Sequence, residues 1–360
     1  MNSQLEQLGR LGFTPYFLES MPESDLAGKQ PARVLAVYKE RFIISDGEHE
    51  IPAELVGKLL YNAGSPLDLP TTGDWVLASI YDGQSFAIIH EVLPRRTYLK
   101  RKAPGRTYDF QLIAANIDTA FFMMALDENF SLRRLERYLV MVHEGGVEPV
   151  VLLSKSDLLD QESIKAHIED ILRINPDLEV HAFSNLSENG FSVVENRLQS
   201  GKTFCLLGSS GIGKTTFINN LLGSEKFSTA EVRAYDGKGR HTTTTRQLLV
   251  LENGAMIVDT PGMRELGNFA VQDGLEDTFE EILELSENCQ FRDCTHTSEP
   301  GCAVKQAVEE GRLSEARYKN FLQLKSESSY GELSYQERRQ KDRDRGKYYK
   351  SVMKQKKHKR

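Results

Sequence analysis

The chain has 360 residues, 39% hydrophobic and 27% charged, which is length enough for two or three packed domains. Its opening MNSQLEQLGRLGF lacks a basic stretch leading into an apolar one, and its longest apolar run, Ala120 to Leu126, is far too short to span a bilayer, so a cytoplasmic protein with no membrane partner is expected. The net charge of −7 divides unevenly: Glu337 to Arg360 carries 12 Lys and Arg against 3 Asp and Glu, leaving −16 elsewhere, a pattern suited to a polyanionic partner engaged at one end.

Residues 1–31 form an N-terminal extension with no assigned role. Residues 32–98 contain the short β segments RVLAVY, RFIISDG, GDWVLASIY and QSFAIIHEVL, separated by Gly, Pro and Asp. A small barrel or sandwich fits them, and an OB-type barrel suits the length. From Asn116 strands alternate with helices. NIDTAFFMMAL reads as a strand buried on both faces. SLRRLERYLVMV follows as a helix with Leu132, Leu135 and Leu139 on one face and Ser131 as N-cap. EPVVLLSKSD is the next strand, and SIKAHIEDILRI a helix with Ile164, Ile168, Ile171 and Leu172 on one face. EVHAFSN and TFCLLG are strands, the second placing Cys205 in the core. KTTFINNLLG is a helix that Gly223 closes, and RQLLVLENGAMIVDTPG a hairpin turning at Asn253 and Gly254. The alternation predicts a mostly parallel sheet with helices on both faces over 110–270. A helical, Cys-containing segment (271–336) and the basic tail (337–360) complete the chain.

Gly208-Ser209-Ser210-Gly211-Ile212-Gly213-Lys214-Thr215 satisfies the phosphate-loop pattern GxxxxGK[ST], and Thr216 continues it. Its glycines let backbone N–H groups converge on phosphate oxygens at a helix N-terminus. Lys214 would reach the β- and γ-phosphates and Thr215 would ligate Mg²⁺. Asp259-Thr260-Pro261-Gly262 ends the apolar strand AMIV, placing Asp259 to hold Mg²⁺ through water and Gly262 N–H to sense the γ-phosphate. Between them, Gly239-Arg240-His241-Thr242-Thr243-Thr244-Thr245 supplies a hydroxyl that completes the Mg²⁺ shell in the triphosphate state; Thr242 and Thr243 are both candidates.

Base choice rests on Ser154-Lys155-Ser156-Asp157, similar to the NKxD element of GTPases with Ser154 in place of Asn. A carboxylate at Asp157 accepts from both guanine N1–H and N2–H₂, a pairing adenine lacks, and the Lys155 stem packs on the purine face. Ser184-Asn185 is placed to offer a backbone N–H to guanine O6. The order of these motifs is permuted, because ordinary GTPases carry the phosphate loop before the base-reading element. Downstream, Cys289-x4-Cys294-x-His296-x5-Cys302 offers three thiolates and one imidazole, a closed tetrahedral set for one structural Zn²⁺.

Permuted GTPase motifs, a barrel-like segment before them and the zinc cluster after them together resemble the RsgA/YjeQ family of small ribosomal subunit-dependent GTPases, from about Ala32 to the C-terminus. The resemblance implies a multidomain α/β protein: an OB-type barrel, a circularly permuted P-loop GTPase domain and a helical zinc-binding domain. It also implies GTP hydrolysis to GDP stimulated by the 30S subunit, a role late in that particle's maturation, contact with its 16S rRNA, and a monomeric state. The family's His in the Gly-x-His-Thr-Thr segment falls on His241 and is implicated in hydrolysis. Met263 follows DTPG where Ras-like proteins tend to carry a water-positioning Gln, so another group or the ribosome must orient the water. Ser154 and Asn185, the latter for the usual Ala, are the departures. The competing readings are an RNA-binding nucleotide sensor with little catalysis and a P-loop ATPase.

Overall fold

The computed structural model describes residues 2–21, 28–38, 41–102, 110–187, 190–209, 211–223, 246–259, 275 and 278–331. Its contacts divide the chain into two units, Met1–Gly267 and Asn268–Arg360. No helix among the described residues is long and apolar enough to cross a membrane.

The first unit begins with five strands: β1 (Gln30–Tyr38), β2 (Arg41–Ser45), β3 (Glu50–Leu55), β4 (Trp75–Tyr81) and β5 (Phe86–Val92). They pair in the order β1-β2-β3-β5-β4, and β4 returns to β1, closing a five-stranded barrel. Alternation fixes which side chains face inward: Ile51 and Ala53 are buried while Glu50, Pro52 and Glu54 are exposed. They join Val34, Ile44, Val76, Ala87 and Ile89 in the barrel core. Strand β3 is not among the segments expected from the sequence, because Pro52 and two glutamates disguise it; an outward-facing proline is tolerated where no ladder donor is required. The N-terminal extension is folded as well. Helices α1 (Asn2–Arg10) and α2 (Pro15–Glu19) and the turn between them bury Leu8, Phe17 and Leu11, and Phe13 sets its ring edge-on against Trp75 at 4.8 Å.

A separate hairpin follows, β6 (Tyr98–Lys102) with β7 (Phe110–Ala115), which is likewise not among the expected strands. Strands β8 (Thr119–Ala125), β9 (Glu148–Ser154), β10 (Glu179–Ala182), β11 (Thr203–Leu207), β12 (Arg246–Val250) and β13 (Met256–Asp259) then form a sheet ordered β10-β9-β8-β11-β13-β12. The first five in that order are parallel. Every residue of β8 and β11 is buried, as continuous apolar runs predict for strands covered on both faces. β12 and β13 form the expected hairpin, with Gly254 at φ +81. A side chain at that glycine would strike the Ser200 hydroxyl.

Helices α4 (Leu132–Glu144), α5 (Gln161–Leu172), α6 (Phe191–Arg197) and α7 (Lys214–Leu221) accompany these strands, after the short α3 (Gly57–Asn62) in the barrel region. Ser131 caps α4 through the Arg134 N–H, as its position implies. In α5, Ile164 and Ile171 are buried, whereas Ile168 and Leu172 are only half-buried. The N-cap of α5 is Asp160.

Barrel and sheet are joined by main-chain pairing: β1 lies antiparallel to β12, with Ala36 opposite Gln247 and Val37 opposite Arg246. The buried Arg33 guanidinium reinforces the junction. It donates to the carbonyls of Leu11, Gly73 (3.3 Å) and Asn116 (3.1 Å) and to Thr203 Oγ1 (2.8 Å), tying the N-terminal extension, the barrel and β11 together. Burial pushes its pKa down to about 10, so it is still charged at neutral pH.

The second unit carries α8 (Glu280–Ser286), α9 (Ala303–Glu309) and α10 (Glu315–Gly331). Phe279 and Phe321 meet at 5.5 Å between ring centres, and Arg317 lies over the Phe279 ring at 4.9 Å.

Candidate nucleotide site and metal centre

Because β10, β9, β8, β11 and β13 are parallel, their C-terminal ends share one edge of the sheet, where open α/β sheets bind ligands. Along that edge stand Ala182, Ser154, Ala125, Leu207 and Asp259. The chain leaves β11 at Gly208, whose φ is +148; a Cβ there would lie 2.3 Å from Ile212 Cδ1 and 2.6 Å from the Met123 carbonyl. Only glycine fits that exit. Gly211 and Gly213 are left-handed, at φ +83 and +97, and α7 starts at Lys214. Ile212 anchors the loop in the core shared with Phe121, Met123, Val150 and Leu152.

Lys214 Nζ donates to the carbonyls of Gly208 (2.6 Å) and Ser209 (2.7 Å), so the loop wraps around its own ammonium. Thr215 and Thr216 occupy the first turn of α7, where the helix dipole favours an anion. Asp259 ends β13, one residue beyond the Cys205–Val258 pair, at the same sheet edge as Gly208. Ser210, His241, Thr242, Thr243 and Gly262 lie outside the described residues.

The two segments expected to read the base converge on this loop. Asp157 sits in a short 3-10 turn after β9, and its Oδ1 accepts from Ser184 Oγ at 2.5 Å. Ser184 is buried and in turn accepts from Leu186 N–H. Lys155, left-handed at φ +62, extends to Asp127 Oδ2 at 2.7 Å. The Lys155 hydrogen bond and then the Asn129 N–H hold the Asp127 carboxyl below its ordinary value. Ser154, fully buried, donates its hydroxyl to the Ile212 carbonyl at 2.8 Å. Asn185 Nδ2 donates to the Gly213 carbonyl at 3.1 Å. Both departures from the usual pattern therefore bond the phosphate loop.

Two contributors belong to no motif in the sequence. Asp127 holds Lys155, and Arg134 from α4 reaches the Ser209 hydroxyl at 3.3 Å and the Asn129 carbonyl at 3.1 Å. The available signal is Asp127 itself, an acidic residue just beyond an apolar strand, as Asp157 is beyond β9.

In the second unit Cys289, Cys294, His296 and Cys302 offer ligand atoms that all lie within 4.8 Å of one another. Cys289 Sγ and Cys302 Sγ are 3.9 Å apart, and each lies 3.6 Å from His296 Nδ1. Bonds of about 2.3 Å to sulfur and 2.0 Å to nitrogen at tetrahedral angles separate ligands by roughly 3.5–3.8 Å, so the set fits zinc. Local backbone devices bring it together. His296 is left-handed at φ +63 and its carbonyl accepts from the Tyr318 hydroxyl, while Cys302 caps α9 through the Lys305 N–H. Burial, with Lys325 nearby, pushes His296 toward the neutral form a metal requires.

A family model for RsgA GTPase matches residues 92–269. A protein of Listeria monocytogenes named small ribosomal subunit biogenesis GTPase RsgA 2 is 41% identical over 323 residues, covering 90% of this chain and 90% of that protein. The crystal structure of YjeQ from Thermotoga maritima superposes with a TM-score of 0.59 at 25% identity, covering 83% of this chain and 98% of that one. A structure of YloQ, described as a circularly permuted GTPase, superposes with a TM-score of 0.57 at 22% identity over 88% of this chain and all of its own. The motifs, their permuted order along one sheet edge and the extent of these matches lead to one conclusion: the chain belongs to the RsgA GTPase family.

Proposed function

We propose that this GTPase binds GTP across the shared strand ends, hydrolyses it to GDP, and assists late maturation of the small (30S) ribosomal subunit, which stimulates its turnover. One observation carries the reading. Asp157 is held by Ser184 in a base-reading segment tied to a phosphate loop that closes on its own lysine, in a chain 41% identical to a protein named for small ribosomal subunit biogenesis. A carboxylate so oriented selects guanine, which disfavours the ATPase reading.

In this mechanism water attacks the γ-phosphate in line. Lys214 and the loop N–H groups of Ser209 to Thr216 stabilise the charge that develops there. Thr215, Asp259 and either Thr242 or Thr243 would hold Mg²⁺, which neutralises phosphate charge when bound. His241 positions the water, and Gly262 reads the γ-phosphate. Cys289, Cys294, His296 and Cys302 hold one structural zinc. The protein acts as a cytoplasmic monomer in five parts: extension (1–31), OB-like barrel (32–98), permuted GTPase domain (110–270), zinc domain (271–336) and basic tail (337–360). The barrel, the zinc domain and the tail supply contacts to 16S rRNA.

The test is GTP turnover by the full chain with and without purified 30S subunits over a salt series. Acceleration that fades steeply as salt rises is the expected result, because phosphate contacts release counterions. Turnover that the particle leaves unchanged at low salt would overturn the proposal. A His241→Ala variant retaining full stimulated turnover would favour another catalytic group or the nucleotide-sensor reading.

A further inference from the structure

Two consecutive carbonyls of the phosphate loop are each held by a side chain from a base-reading segment. Ser154, at the end of β9, donates its hydroxyl to the Ile212 carbonyl at 2.8 Å; its Oγ also lies 3.4 Å from the Met124 carbonyl, the weaker of the two contacts. Asn185, just beyond β10, donates Nδ2 to the Gly213 carbonyl at 3.1 Å. Asn220 of α7 in turn donates to the Asn185 main-chain carbonyl at 3.0 Å, pinning that turn against the helix the loop begins. The fit is close, since a Cβ on Gly213 would lie 2.6 Å from Asn185 Nδ2. Asn185 Oδ1 is buried and has no hydrogen-bond partner among the described residues.

Peptide planarity gives the two bonds their meaning. In a trans peptide the C=O and the following N–H point in opposite directions. Fixing the Ile212 carbonyl toward Ser154 therefore fixes the direction of Gly213 N–H. Fixing the Gly213 carbonyl toward Asn185 does the same for Lys214 N–H. These are the N–H groups of the N-cap and of the first residue of α7, in the stretch where a phosphate loop presents its donors. Asp157 lies three residues from Ser154, and Ser184, which orients its carboxylate, adjoins Asn185.

We infer that Ser154 and Asn185 are a pair of positioning residues that aim the Gly213 and Lys214 N–H groups at the nucleotide phosphates, so that in this chain they act on phosphate affinity and not on base choice. The inference rests on the reading of this site as a GTP site. It also gives the two departures from the familiar pattern a common role, because each replaces a base-side residue with a donor to the loop.

The experiment measures binding of GDP and of inosine diphosphate, which lacks the guanine 2-amino group, to the full chain. Ser154→Ala and Asn185→Ala are each expected to weaken both ligands about three- to tenfold, as loss of one neutral hydrogen bond implies, and to leave the GDP-to-IDP ratio at the wild-type value. Ser154→Thr, which keeps the hydroxyl, should bind close to wild type. Asp157→Asn is the contrasting control, since it should change the ratio. Asn185 lies in a half-buried turn, so its variant remains informative if Ser154→Ala fails to fold. Unchanged GDP binding by both alanine variants, or a shift in the GDP-to-IDP ratio, would overturn the inference. A wild-type chain that binds neither diphosphate, or an Asp157→Asn variant with unaltered ratio, would instead strike at the GTP-site reading beneath it.

Discussion

The nucleotide site and the metal cluster are ordered in opposite ways. The first gathers Asp127, Ser154 to Asp157, Ser184, Asn185 and the loop from Gly208 onward, segments spread over some ninety residues of chain. Parallel strands carry each to the same edge, and hydrogen bonds between segments complete the arrangement before any ligand arrives. The second draws its four ligands from Cys289 to Cys302, within 14 residues that contain little regular structure. Its ligand atoms all lie within 4.8 Å of one another, and the main-chain bond from Gln290 N–H to the Gly301 carbonyl spans the loop, so the ion they fit would be its principal cross-link. A site built on a sheet tolerates an empty state. A site built on a loop depends on its ligand.

Removing the metal should separate the two most sharply. Exhaustive chelation, or Cys302→Ser, is expected to unfold the C-terminal unit, since a structural zinc contributes on the order of 10–16 kcal/mol in small zinc folds. Nucleotide affinity measured on the same sample should persist, with helical circular dichroism lost in proportion to α8 to α10. Retention of full helicity after stoichiometric metal loss would erase the contrast.

Within the first unit, Arg33→Met strikes the sheet side of the comparison. It strands the carbonyls of Leu11 and Asn116 without a buried donor, and about 2–5 kcal/mol of stability should disappear in chemical denaturation. The metal content should not change.

Next in size, Asp157→Asn should lower GTP affinity about 10- to 100-fold, the range for loss of charge-assisted hydrogen bonds, with a relative gain for xanthosine triphosphate. Competition binding would read both. Smallest is Ser131→Ala, which removes a long cap bond at 3.4 Å and should cost about 0.5–1 kcal/mol. A thermal melt resolves it, and no change in nucleotide selectivity is expected.

Much of this architecture is legible in the residues. The all-buried β8 and β11 announce themselves as unbroken apolar runs, and the turn at Gly254 and the cap at Ser131 have clear local chemistry. What escapes has weak local signals overridden by tertiary context. β3 carries Pro52 and two glutamates, and β6 carries Lys100, Arg101 and Lys102, so neither reads as a strand until its partner is present. In the site, the glycines, Lys214 and Asp157 follow from motif spacing. Asp127 and Arg134 do not, because an ion pair 28 residues apart and a contact 75 residues apart have no spacing rule. Ser154, set against the NKxD pattern, reads as the loss of an amide. Its bond to the Ile212 carbonyl becomes visible only when β9 and the loop are set side by side.

The pairing of β1 with β12 has one more consequence. Strand edges are templates for unwanted association, because a row of unpaired amides recruits another chain. Here the barrel closes on itself, and the outer side of β12 runs onto β1, so among the described strands of the long sheet the open flank is β10. That flank is four residues long and carries Glu179 and His181, with Arg197 bound to Glu179 beside them. By lending a strand to its own nucleotide-binding sheet, the barrel leaves the described strands of that long sheet only one short, charged edge for intermolecular β pairing.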